Sequence, residues 1–294
     1  MAEQQQAWDY EAPPDRAYQT AKFRCWIPPG LKSLRAILVL LPGQNADGRP
    51  AVEEPQWQDF AAKESLALVG VFFEGDAVRD YSQAERGSGL TLIRAIEDFS
   101  RKPQGRDLLL ARIFLRGSSS GGQFAYSFTQ YQPQRVAGFA CSNGLYFTSF
   151  PTGGGQRVPG LFAVDGAESD ERVQKNLDFF GKNRERGALW SFVRYAESSE
   201  GGAATEFDRK YISAVLTARL NPLSPLSALE NVTEILGWGG QLQTRAVLSA
   251  RQIPRGQEPQ HAWFVNEKIA RDWAVVAAPI HVKAKPPSAP REYQ

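Results

Sequence analysis

The residues best suited to bond-making are grouped at Gly117-Ser118-Ser119-Ser120-Gly121, a Gly-x-Ser-x-Gly pattern. A serine between small neighbours becomes a nucleophile when a tight strand-to-helix turn lifts its hydroxyl out of the chain, with the helix N-terminus facing the carbonyl under attack. The flanking residues have that order: Ile113-Phe-Leu reads as strand, Arg116 to Gly122 as a turn, and Gln123-Phe-Ala-Tyr-Ser-Phe-Thr as the opening of a helix. Ser119 is therefore the candidate nucleophile. Gly117 and Gly121 leave room for a strained backbone, and the Ser120 amide can donate to an oxyanion. A linker, or a phosphate cradle at a helix N-terminus, is the alternative reading of the same run.

The remaining parts of such a site are spread along the chain. A second oxyanion donor is expected after the apolar strand Ala36 to Leu41, where Pro42-Gly43-Gln44-Asn45 offers the Gln44 amide; the alternative is an ordinary turn supported by Asn45, Asp47 and Gly48. An acid is expected after a later strand, and Gly160 to Val164 is followed by Asp165-Gly-Ala-Glu-Ser-Asp170. Asp170 is the first choice, with Glu168 and Asp165 behind it; any of them can instead serve as a helix cap. A histidine should follow the strand Leu189 to Tyr195, yet Ala196 to Glu206 contains none, and the chain has only His261 and His281. His261 can serve as base only if the C-terminal part folds over the sheet's carboxyl edge; otherwise it is a surface residue. Glu197 and Glu200 are poor substitutes, because a solvated carboxylate with a pKa of about 4.3 is a weak base toward an alcohol.

Positioning these groups requires a framework of alternating strands and helices. Ala21 to Ile27 alternates in polarity, as an outer strand does, whereas Ala36-Ile-Leu-Val-Leu-Leu41 is apolar on both faces and reads as a strand covered on both sides. A helix near Gln56 to Glu64, a strand Leu66 to Phe73, a helix from about Leu90 to Ser100 and a strand Arg112 to Leu115 follow. Beyond the serine come a helix Gly121 to Tyr131, strands Val136 to Cys141 and Gly160 to Val164, a helix Asp170 to Arg186, a strand Leu189 to Tyr195 and a helix Phe207 to Arg219. The expected class is α/β, a doubly wound and mainly parallel sheet whose ligands sit at the strands' carboxyl ends. Residues 18–220 read as the core, 221–283 as a small appended element with a short helix through Ile269, Ala270, Trp273 and Ala274, and 284–294 as a mobile, Pro-rich tail.

Composition narrows the partners. The 294 residues carry 34 basic and 32 acidic side chains, well mixed, so bulk charge recruits neither nucleic acid nor an anionic membrane. No apolar run approaches the roughly 18 residues of a membrane span. The start, Met1-Ala-Glu-Gln-Gln-Gln, lacks the pattern of a signal peptide. If a leader has been removed, the setting is secreted or periplasmic. Cys25 and Cys141 fall in separate strands and read as buried free thiols. Two scattered histidines and two scattered cysteines make no metal site, so neither metal nor cofactor is expected.

With these residues in view, the chain resembles the α/β-hydrolase superfamily, and within it bacterial esterase-like proteins related to dienelactone hydrolases and polyhydroxybutyrate depolymerases. The resemblance covers about residues 18–220, through Leu-Pro-Gly-Gln-Asn-Ala-Asp-Gly-Arg49, Gly117 to Gly122 with Gln123 to Tyr126, Pro133 to Ala140, and Pro159 to Val173. It implies Ser119 as nucleophile, Asp170 as acid and the Gln44 and Ser120 amides as oxyanion donors. In such proteins a Gly-His-Glu-like stretch follows the last core strand; here Glu200-Gly201-Gly202 stands there. Two functions follow as expectations: a serine ester hydrolase acting on a small-molecule or polymer-linked ester, or a catalytically impaired hydrolase-fold protein that binds a ligand or partner. The aromatic run Leu145 to Phe150 and the glycines Gly153 to Gly155 are candidates to line its cleft.

Overall fold

The computed structural model describes residues 7–144, 154–196 and 202–280. Its main sheet opens on two strands with alternating burial, β1 (Trp8–Ala12) and β2 (Thr20–Trp26), paired antiparallel. Their outward residues bond across the pair, Arg24 reaching Asp9 at 2.8 Å. The next strands, β3 (Ala36–Leu41) and β4 (Leu66–Glu74), flank the helix α1 (Pro55–Glu64), and every residue of β3 is buried. That is the condition of a strand covered by helices on both faces.

The chain then alternates: α2 (Ser88–Ser100), β5 (Arg112–Ser118), α3 (Ser120–Tyr131), β6 (Val136–Ser142), β7 (Gly160–Val164), α4 (Asp170–Arg184), β8 (Trp190–Arg194) and α5 (Gly202–Arg219). Among the described residues the sheet has eight strands in the order β1-β2-β4-β3-β5-β6-β7-β8. From β4 through β8 every pairing is parallel, while β2 runs antiparallel to β4. The mainly parallel, doubly wound class read from the sequence is the class observed. On one face an aromatic cluster fills the core under α3 and α4, with Phe162 and Trp190 at 5.0 Å and Tyr126 edge-on to Phe179 at 5.6 Å. Cys25 and Cys141 are free and buried, on β2 and β6.

The C-terminal part forms a second sheet of β9 (Trp238–Gln241), β10 (Val247–Ser249) and β11 (His261–Phe264), all antiparallel, followed by α6 (Glu267–Val276). This element covers β8, the sheet's last strand. An edge strand exposes unpaired backbone groups, and here they find partners. Trp273 Nε1 donates to the Phe192 carbonyl at 2.8 Å, and Ala278 N–H donates to Arg194 at 2.7 Å. Ser191 Oγ donates to the Trp263 carbonyl in turn. Among the described residues no helix is long and apolar enough to cross a membrane. The tail at 284–294 lies outside the described residues.

Candidate functional site

Ser119 lies between β5 and α3 with φ 50° and ψ −120°. A non-glycine residue adopts such a backbone at a cost of about 1–3 kcal/mol, so the surroundings must hold it there. They do so through the main chain: Ser119 N–H donates to the Ser142 carbonyl of β6 at 2.8 Å, and its own carbonyl accepts the Gln123 N–H at 3.0 Å, inside the first turn of α3. The two glycines make the turn sterically feasible. A Cβ on Gly117 would sit 2.2 Å from the Gly121 carbonyl oxygen, and one on Gly121 would sit 2.3 Å from the Pro42 carbonyl oxygen. The helix start, the elbow strand and the loop after β3 are thus packed backbone to backbone.

That loop brings Gly43 and Gln44, the segment expected to give the second oxyanion donor, beside the serine. The Cβ position of Gly43 is 3.7 Å from the Ser119 Cβ, and Gln44 follows in an exposed turn closed by Ala46 N–H donating to the Gly43 carbonyl at 3.2 Å. Asn45, with φ 57°, anchors the turn by accepting the Gly75 N–H at 3.0 Å. Ser120 supplies one of the first N–H groups of α3, which have no partner within a helix. Tyr81 is buried beside both segments; burial pushes its hydroxyl up, and the facing Ser120 hydroxyl and Asn45 amide pull it down.

The candidate acids gather at the carboxyl end of β7, two strands from β5 and so about 10 Å across the sheet. Asp170 is the first residue of α4, its side chain is 93% exposed, and it pairs with Arg194 at the end of β8 at 3.0 Å. Arg194 also donates to the Gly166 and Glu168 carbonyls. Glu168 pairs with Arg172 at 3.1 Å, and Asp165 accepts the Ala167 N–H at 2.9 Å. The capping of α4 itself falls to Ser169, which accepts the Arg172 N–H.

His261 is not brought to Ser119. It is 4% exposed, on β11, and its Nδ1 donates to the Gln257 carbonyl at 2.8 Å. Its own carbonyl accepts from Arg184, which also bonds the Ala188 carbonyl ahead of β8. His261 therefore stands at the amino edge of the sheet, roughly 15 Å along the strands and three strands across from the serine. The physical reason is that β11 packs against the amino half of β8, while it is the chain after α6, through Val276 and Ala278, that bonds the carboxyl end of that strand. Burial lowers the pKa of His261 and Arg184 adds to the effect, against the Gln257 carbonyl, which raises it. His281, Glu197, Glu200, the aromatic run 145–150 and Gly153 lie outside the described residues. Among the described residues no group of three or more histidine, cysteine or acidic side chains is placed to hold a metal.

A set of residues not singled out from the sequence lies behind the elbow. Arg116, on β5, donates from Nε and Nη2 to Asp208 Oδ2 at 2.8 Å, and the Tyr195 hydroxyl donates to Asp208 Oδ1 at 2.8 Å. Asp208, on α5, is 1% exposed. The available signal was a basic residue closing an apolar strand: a charge there demands a buried partner.

No family model matches the chain, and no curated protein is similar to it. Among solved structures it is similar to a fluorophosphonate-binding serine hydrolase of Staphylococcus aureus, at 13% identity and a TM-score of 0.49, over 72% of this chain and 98% of that one. A dienelactone hydrolase of Anabaena variabilis gives 16%, 0.46, and 72% and 98% of the two chains. A poly(3-hydroxybutyrate) depolymerase of Bordetella parapertussis gives 17%, 0.37, and 55% and 65%. The chain's own geometry decides the fold: a mainly parallel sheet whose second strand runs antiparallel, ordered β1-β2-β4-β3-β5-β6-β7-β8, with a strained serine between the fifth strand and the following helix, is the α/β-hydrolase fold.

Proposed function

We propose that this protein is a serine carboxylic-ester hydrolase that works through an acyl-enzyme on Ser119. The observation that carries the reading is the Ser119 backbone, φ 50° and ψ −120°, held by glycines at Gly117 and Gly121. Strain of this kind persists where a hydroxyl must be presented. Ser119 Oγ attacks the ester carbonyl, the oxyanion takes hydrogen bonds from the Ser120 and Gln44 amides, and the C–O bond to the alcohol breaks as the alcohol leaves with a proton. Water then adds to the acyl carbonyl and returns the serine. Asp170 supports this chemistry as the acid at the carboxyl edge.

With His261 at the far edge, the serine proton goes to Glu197 or Glu200 of the β8–α5 connection, or to His281. Removing the histidine base of a serine hydrolase costs on the order of a million-fold in turnover, while oxyanion hole and binding retain roughly a thousand- to ten-thousand-fold over water. A carboxylate base therefore makes a slow enzyme. A fluorophosphonate probe should label the wild type and leave Ser119→Ala unlabelled; equal labelling of the two refutes the proposal. The buried, distant His261 favours a second reading, an impaired hydrolase-fold protein that binds a ligand or partner in the same cleft. It predicts no Ser119-dependent hydrolysis of short p-nitrophenyl esters at any enzyme concentration.

A further inference from the structure

An arginine in a buried strand is costly to keep, since a buried ion pair is commonly no more stabilising than apolar side chains of the same volume. Where one is retained, the question is what its geometry holds in place. Arg116 lies three residues before Ser119 on the elbow strand. Its guanidinium is stacked over Trp57 of α1 at 5.2 Å, and Arg209 lies over the same indole at 5.8 Å. It is thus oriented by a ring plane as well as by Asp208. Asp208 in turn is shared: one oxygen takes both Arg116 bonds and the other takes the Tyr195 hydroxyl, each at 2.8 Å.

Tyr195 is the residue that follows β8, and its amide is bonded to Val164 of β7 at 3.0 Å. β8 lies three strands from β5, so backbone pairing relates the two only through β6 and β7. The Arg116–Asp208–Tyr195 chain is a second, direct link across the face of the sheet. We infer that Asp208 is a positioning residue for Ser119: its carboxylate locks the carboxyl end of β8, where Arg194 holds Asp170, in register with the nucleophile strand. The inference rests on Ser119 being the nucleophile. A shift of the order of 1 Å between reacting groups is enough to cost about a hundredfold in rate.

The test uses Asp208→Asn, Tyr195→Phe and Arg116→Gln in the full chain, with two readouts. The first is fluorophosphonate labelling, separated into the affinity and the maximal rate of modification. The maximal rate should fall about tenfold to a hundredfold in each variant with affinity within about twofold. The second is amide exchange at Tyr195 and Ala196, bonded to Val164 and Val276, which should quicken about tenfold in Arg116→Gln although Arg116 is on another strand. Asp208→Asn keeps the volume but leaves an acceptor oxygen for only one of the two donors, so it breaks the link conservatively and serves if Arg116→Gln fails to fold. A lowered melting temperature with the maximal rate unchanged overturns the inference, as does unaltered exchange. If the wild type takes no label, the nucleophile reading has failed; exchange then still decides the link, quickened amides supporting it and unaltered amides refuting it.

Discussion

At the scale of the residue, the account turns on a serine kept in a backbone that glycine would occupy without cost. Ser119→Gly should therefore raise stability by about 1 kcal/mol while abolishing reactivity, a trade measured by urea unfolding beside probe labelling; an unchanged or lowered stability would count against a strained elbow. Gly121→Ala should do the opposite. Its methyl would meet the Pro42 carbonyl oxygen at 2.3 Å, costing about 3 kcal/mol and the labelling with it. The elbow turn at Ser119 was legible in the sequence because small residues at fixed spacing are demanded by local sterics. Asp208 was not, because its role depends on Arg116 and Tyr195, which are distant in sequence.

At the scale of the element, covered strands were the most readable: Ala36–Leu41 and Gly160–Val164 are bounded in the structure as their apolar runs predict. The strand Trp8–Ala12 and the three strands of the C-terminal sheet escaped, being only three to five residues long, with two charges in Trp8–Ala12 and two glycines in Trp238–Gln241, so that pairing partners rather than local pattern create them. The side on which that C-terminal sheet packs decides the fate of His261. Burial and Arg184 hold its pKa below the usual 6.5. Above pH 6.5 the ring is neutral folded and unfolded alike; below it the unfolded chain binds a proton that the native chain refuses. His261's contribution to stability is thus present above pH 6.5 and is lost as pH falls from there through the native pKa. His261→Gln should flatten that loss, read from melting temperatures between pH 7.5 and 5.5; an equally steep loss in the variant would contradict it.

At the scale of the whole molecule, the fold brings Ser119, the Gly43–Gln44 turn and the acidic loop to one edge of the sheet and sends the only described histidine to the other. If Glu197 or Glu200 takes the serine proton, the base is weaker than imidazole, and a weak base slows both halves of an acyl-transfer reaction. The acyl-enzyme should be long-lived. The most direct measurement is the mass of the protein quenched in acid after mixing with p-nitrophenyl acetate, followed by peptide mapping. The account predicts one acetyl group on the peptide containing Ser119, absent from Ser119→Ala. No adduct on the wild type, or the same adduct on both proteins, would contradict it.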